Sequence, residues 1–212
     1  MTDVPEPTAS GRRERHKHEK LGRIRAAALT LFTEQGYDAT TVRQIAVQAD
    51  VATGTIFRYA ADKADLLLMV FHELIADTIH RALQPDRVDG PLTQVLPQLF
   101  DPFFEFYAAH HRLASDFLRL VLFHHSPWRT RELEQGQIFM QQLADLLRRR
   151  QHTGEISTDV DPLTAAVALF SLYQACLVSW LTSEATLTDT RRQLDALLHL
   201  QVRALQAGAR TP

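Results

Sequence analysis

The 212-residue chain predicts an all-α fold of about nine helices, an amino-terminal three-helix domain with a helix-turn-helix followed by a larger helical domain. Three observations predict it. Apolar residues recur at one-turn spacing along most of the chain, with no competing strand-like alternation. Only eight Gly and nine Pro occur, among long runs rich in Ala, Leu, Gln and Arg. Residues 40–65, TTVRQIAVQADVATGTIFRYAADKAD, place two short periodic segments around a tight turn.

Composition bounds the rest. Hydrophobic residues at 45% and charged residues at 23% describe an ordinary globular chain with a sizeable core, not a disordered one. The net charge is only −2, but it is unevenly spread. Residues 11–63 hold ten Lys or Arg against six acids, and residues 66–212 hold thirteen against sixteen. The cationic end is thus the helix-turn-helix end, as a polyanionic partner requires. The single cysteine, Cys176, rules out an internal disulfide and fits a reducing compartment. No apolar leader pattern and no run of 18 apolar residues occurs, so a cytoplasmic protein without a membrane span is expected.

Residues 1–17 read as a flexible arm whose basic stretch, GRRERHKHEK at 11–20, suits phosphates or a minor groove. The DNA-binding domain then spans 18–65. Its first helix, 18–35, turns Ile24, Ala27, Ala28, Leu31 and Phe32 inward and stops at Gly36, which accepts a left-handed backbone. In the second helix Val42, Ile45, Ala46 and Ala49 form one face, and Val51 and Ile56 continue it into the third. Ala46 is small enough for a close helix crossing, and Asp50 at the turn tolerates positive φ. The outward face carries Thr53, Gly54, Thr55, Phe57 and Arg58, a mixture suited to a major groove and its phosphates.

A second domain is expected over 66–212. Asp62 is an N-cap for a helix from 63 to about 83, where Lys63 opposes the helix dipole unless a phosphate approaches the same end. QPDRVDGP at 84–91 is a loop. The helix at 92–109 contains Pro97 and Pro102 and is expected to be kinked or divided. Further helices follow at 112–123, from Pro127 to about Gln151, from Asp161 and Pro162 to about Thr182, and from Asp189 to Gln206. Apolar faces on the last two, Leu169, Leu172, Cys176 and Trp180 with Leu194, Leu197, Leu198, Val202 and Leu205, are expected to pair two subunits into a four-helix bundle.

His110, His111, His124 and His125 form two adjacent pairs, but neighbours on a helix diverge by about 100° and no Cys or carboxylate visibly completes a set, so no metal or cofactor is expected. Arg148, Arg149 and Arg150 complement a helix dipole and need no ligand. Nucleophile elbow, Walker, dinucleotide and zinc-protease motifs are all missing from the sequence, which leaves an enzymatic reading without a chemical constellation, and no enzyme is expected. The competing class is a small-molecule-binding or metal-dependent enzyme-like bundle with a vestigial helix-turn-helix, supported only by the aromatic residues and the histidine pairs.

GRIRAAALTLFTEQGYDATTVRQIA and VATGTIFRYAADKADLL together resemble the amino-terminal domain of the TetR family of bacterial transcriptional regulators over about residues 20–68. Departures are Ala52, where Ser is common, and Ala60 and Ala61, where the family has a bulky aromatic and then a breaker. The resemblance implies a homodimeric regulator, a repressor, on a near-palindromic operator. It carries DNA contacts to Thr41, Arg58, Tyr59 and Lys63 (phosphates) and Thr53, Gly54, Thr55 and Phe57 (groove). It also turns the aromatic residues Phe103, Phe104, Tyr107, Phe117, Trp128 and Tyr173, otherwise plain core, into an expected site for a small, mostly apolar effector.

Overall fold

The computed structural model describes residues 9–207. Among these, nine helices follow in order: α1 (Ala9–Gln35), α2 (Val42–Gln48), α3 (Thr53–Ile56), α4 (Lys63–Ala82), α5 (Leu92–Ala109), α6 (His111–Phe123), α7 (Pro127–His152), α8 (Pro162–Thr182) and α9 (Leu187–Gln206). The all-α expectation holds.

Helix ends follow the chemistry of their caps. Gly36 takes φ 86° after α1, and its N–H reaches the Phe32 carbonyl at 3.0 Å. Asp161 accepts from the Thr164 N–H at 2.7 Å, and Pro162 opens α8. Asp62 Oδ1 accepts from the Asp65 N–H at 2.8 Å at the start of α4.

Three expectations are corrected. Residues 9–17, expected as a flexible arm, continue α1; residues 1–8 lie outside the described residues. Arg15 and His16 each pair with Glu19 one turn on, at 3.7 and 3.2 Å, and no proline lies between Pro7 and the end of α1 to break the helix. α5 is undivided despite Pro97 and Pro102. Pro102 has no N–H for the Gln98 carbonyl, and Arg87 Nη1 donates to that oxygen instead at 3.3 Å. Finally, Leu169, Cys176 and Trp180 on α8 and Leu194, Leu198, Val202 and Leu205 on α9 do not form an open face for a second subunit. They are buried inside one chain, where α8 packs on α9 and α9 on α5.

The chain divides into two compact units, one of residues up to Phe71 with Asp116–Arg129, the other of His72–Ser115 with the chain from Thr130 onward. The sequence pattern suggests a single cut after residue 65 instead. In the first unit Phe117 of α6 stacks on Phe71, with centroids 4.6 Å apart and planes at 25°. Helical periodicity marks both rings as buried but carries no information on their pairing. In the second unit the core is aromatic. Tyr173 meets Phe100 at 5.1 Å, Phe104 at 5.4 Å and Phe170 at 5.8 Å, and Phe103 meets Phe139 at 5.2 Å.

Candidate DNA-binding surface and effector cleft

The helix-turn-helix is built from short devices. Thr41 opens α2 with a reciprocal cap: its Oγ1 accepts from the Gln44 N–H at 3.2 Å, and Gln44 Oε1 accepts from the Thr41 N–H at 2.8 Å. Thr40, buried just before it, donates to the Gly36 carbonyl at 2.7 Å and so closes the end of α1. At the other end of α2, Asp50 sits at φ 52°. The Val51 N–H reaches the Ala46 carbonyl at 3.0 Å and the Asp50 N–H reaches Val47 at 3.1 Å, the paired bonds of a left-handed helix stop. Arg23 Nη1 holds the Asp50 carboxylate at 3.1 Å.

The inner side of this motif, Ile45, Ala46, Ala49 and Ile56, is buried. Its outer side is open. Phe57 is 53% exposed, and the exposed Arg58 makes no side-chain hydrogen bond or ion pair among the described residues. A Cβ at Gly54 would meet nothing within 4 Å, so this chain's own packing does not demand the glycine, whereas a close external surface would. Ala52 supplies no side-chain cap to α3.

Two expected contacts have internal duties. The Lys63 ammonium donates to the Tyr37 carbonyl at 2.8 Å and to Asp38 at 3.1 Å, and lies 4.4 Å from the Tyr37 ring centroid. It clasps the α1–α2 connection, whose carbonyls lack helical donors, and this accounts for a cation in the first turn of α4 without a phosphate. Tyr37's phenol is pushed up, first by burial and then by the Asp62 charge. The Thr41 hydroxyl donates to Gln44 Oε1 at 2.8 Å.

The six aromatic residues expected to meet in one effector site are divided between the units. Phe103, Phe104 and Tyr173 come together, and Tyr107 packs on Phe106 at 5.0 Å. Phe117 and Trp128 fall in the amino-terminal unit. There the Trp128 indole N–H donates to the Tyr59 carbonyl at 2.8 Å, anchoring the backbone just after α3. Tyr173's phenol is pushed well above its usual value by burial and then by Tyr107.

Between α5 and α9 lies an open cleft of about 400 Å³. Pro97, Phe104, Leu194 and Leu198 form its apolar part, with Arg87, Arg191 and Arg192 among its lining. Arg191 Nε is held by Asp101 at 2.6 Å and Arg192 by Asp189 at 3.1 Å. Phe104 links the cleft to the aromatic core, since it also meets Tyr173 and Trp180. Sequence reasoning missed this site because its arginines lie about a hundred residues apart in the chain. It also missed Glu132, buried with its Oε1 2.9 Å from His72 Nδ1. Burial pushes the Glu132 carboxyl up, and the His72 hydrogen bond offsets part of the shift. Among the histidine pairs, burial lowers His110, His111 meets the Trp180 ring at 5.4 Å, and His125 is exposed. His124 does have carboxylate partners, contrary to expectation: Asp62 at 3.7 Å and Asp65 at 3.8 Å.

A capped and crossed helix pair with an exposed hydroxyl, aromatic and cationic face defines a helix-turn-helix DNA-binding regulator. Residues 24–70 match the family model "Bacterial regulatory proteins, tetR family", so the helix-turn-helix region is similar to that family's. It is 28% identical over 201 residues to the HTH-type transcriptional repressor KstR of Rhodococcus jostii, covering 92% of this chain and 86% of that protein. It is 25% identical to the transcriptional regulator FadR of Bacillus subtilis, solved in complex with stearoyl-CoA, with a TM-score of 0.64 over 88% of this chain and 98% of that one. Thermus thermophilus FadR, a TetR-family repressor solved with lauroyl-CoA, is likewise 25% identical, with a TM-score of 0.66 over 91% and 96% of the two chains. These relatives are transcriptional regulators, and the enzyme-like alternative finds no support among them.

Proposed function

We propose that the chain is a cytoplasmic homodimeric repressor that binds a near-palindromic operator and is controlled by a fatty acyl thioester of coenzyme A. The observation that carries the DNA reading is the outer face of α3 and the residues after it, open to solvent while the inner face is buried. Thr53, Gly54, Thr55 and Phe57 meet the major groove. Arg58 and Tyr59 meet phosphates, with Thr41 and Lys63 contributing through whatever hydrogen-bonding capacity their internal partners leave. Lys63, with two of its three N–H groups on carbonyls, contributes one.

The effector reading rests on the α5–α9 cleft and on the ligands of the two FadR structures. An acyl-CoA is an amphiphile, with phosphates for Arg87, Arg191 and Arg192 and a chain for the apolar floor at Phe104 and Leu198. This refines an effector of mostly apolar character to one with an anionic head. Dimerisation uses the opposite side of α8 and α9, where Leu163, Val167, Val178 and Leu200 are exposed. A helix with a mean hydropathy of 1.6 and only 39% of its most apolar window buried is accounted for if a second α8 covers its outer side.

The test is fluorescence anisotropy of duplexes selected from the source genome, titrated with chain and then with lauroyl-CoA, stearoyl-CoA, free laurate or coenzyme A. Salt-dependent binding with a slope of about −0.9 per phosphate contact is expected. Release is expected by acyl-CoA alone. Without duplex binding the regulator reading fails; with binding but no acyl-CoA response only the effector reading fails.

A further inference from the structure

Three groups from two helices of the amino-terminal unit converge where neither DNA contact nor effector binding requires them. Asp62 precedes α4, Asp65 lies in its first turn, and His124 follows α6. Each carboxylate has one oxygen fixed by backbone and one left over. Asp62 Oδ1 accepts from the Asp65 N–H at 2.8 Å, while its Oδ2 stands 3.7 Å from His124 Nε2. Asp65 Oδ2 accepts from the Ala61 N–H at 3.0 Å, while its Oδ1 stands 3.8 Å from the same nitrogen. The Asp65 side chain is only 2% exposed, and Oδ1 accepts no hydrogen bond among the described residues. A buried carboxylate oxygen without a donor is costly, and one aimed at an imidazole nitrogen just beyond hydrogen-bond range leaves room for something between them.

We infer that Asp62, Asp65 and His124 form a binding site for a first-row divalent transition ion, with Zn²⁺ and Mn²⁺ the best matches to one imidazole and two carboxylates. The three ligand atoms lie within 4.8 Å of one another. Two bonds of about 2.1 Å span up to about 4.2 Å, so both histidine-to-carboxylate separations already fit. The remaining closure falls on Asp62, the exposed member, whose Oδ2 can shift by a small rotation while Oδ1 stays on the Asp65 N–H. Imidazole nitrogen selects against Ca²⁺ and Mg²⁺, and the lack of thiolate selects against Cu(I). Two carboxylates also offset the helix dipole that a cation at the start of α4 would otherwise oppose. Three protein ligands leave positions for water, so the site is open rather than a closed structural one. The ion would tie the end of α6 to the first turn of α4, one residue from the Lys63 clasp on the α1–α2 connection. This inference is independent of the effector's identity.

The tag-free full chain, stripped with a chelator and dialysed, is titrated with Zn²⁺, Mn²⁺ and Co²⁺ by calorimetry, with the visible bands of Co²⁺ reporting its ligands. One ion per chain, a Co²⁺ spectrum carrying a nitrogen-donor signature, and a rise in melting temperature on metal addition are expected. His124→Ala, at a half-buried helix end that tolerates truncation, and Asp65→Asn, which keeps an acceptor for the Ala61 N–H, should each weaken binding about 100-fold or more, at or beyond the upper limit for outer-shell changes. His125→Ala, on the exposed neighbour, should leave it unchanged. No saturable binding up to about 1 mM, or binding that survives in both His124→Ala and Asp65→Asn, would overturn the proposal in favour of a simple histidine–aspartate ion pair.

Discussion

Around the helix-turn-helix the side chains that meet are small and the bonds that order them span a few residues: Thr41 with Gln44, Asp50 with Val47, Asp62 with Asp65. Around Tyr173 the side chains are large and arrive from different helices, Phe100 and Phe104 from α5, Phe139 from α7 and Phe170 from α8. The first region is shaped by where backbone groups find partners, the second by how much apolar surface leaves water. A surface that must present a fixed face to DNA benefits from many small constraints on backbone direction. That second region draws its stability from the apolar area its rings take out of water and from their edge and face contacts.

The largest effect expected is on the aromatic side. Phe100 is fully buried and stacks on Tyr173 with planes 10° apart. Phe100→Ala should cost about 3 to 5 kcal/mol of stability, read from urea unfolding of the full chain. A loss below about 1 kcal/mol would mean that the neighbours collapse into the space, making this region a pliable pocket more than a packed core.

Next is a pH effect from the same unit. Burial raises the Glu132 carboxyl, the His72 hydrogen bond only partly opposing it. A group with a raised folded pKa contributes stability below its unfolded value, and that contribution is lost as pH rises through the folded value. Glu132→Gln is neutral throughout. Between about pH 4 and about pH 7 the stability difference should therefore move in the variant's favour. A difference that stays flat across this window would show that Glu132 ionises as freely in the folded chain as in the unfolded one.

How far each region was legible follows from the same contrast. Gly36, Ala46, Asp50 and Asp161 were readable because a cap or turn is written in adjacent residues, and each occupies the conformation or burial expected of it. Thr40 carries no such local signal, since its bond to the Gly36 carbonyl depends on how the turn folds back. For the aromatic residues, periodicity identified burial but not partners. Trp128 looked like effector lining, and its indole instead holds the Tyr59 carbonyl. Arg87 and Arg191 carry no local signal at all; only the packing of α9 on α5 makes them lining residues of one cleft.

Smaller still is the α2 cap. Thr41→Ala removes one half of a reciprocal pair and should cost about 1 kcal/mol, with Thr41→Ser recovering most of it. Faster hydrogen exchange at the Gln44 amide, with α5 and α8 unaffected, would assign the loss to the cap. Equal loss in the Ser and Ala variants would show that the threonine methyl, and not the hydroxyl, matters.

The smallest effect tests whether the turn stores strain. Asp50 holds a left-handed backbone, which costs a residue with a Cβ about 1 kcal/mol relative to glycine. Its carboxylate recovers some of that through Arg23, but Asp50's side chain is 92% exposed, and exposed pairs contribute roughly 0 to 1 kcal/mol. Asp50→Gly removes the strain and the ion pair together, so the two changes oppose each other and stability should move by less than about 0.5 kcal/mol. Asp50→Ala keeps the strain and loses the pair along with aspartate's tolerance of this conformation, and should fall about 1 kcal/mol below the glycine variant. Melting curves of the three chains at low and high salt separate the terms, because only the Arg23 contribution is screened. If alanine proved as stable as glycine here, the backbone at position 50 would not need its left-handed turn, and the geometry that aims α3 would rest on the buried face of Ile45, Ala46 and Ile56 alone.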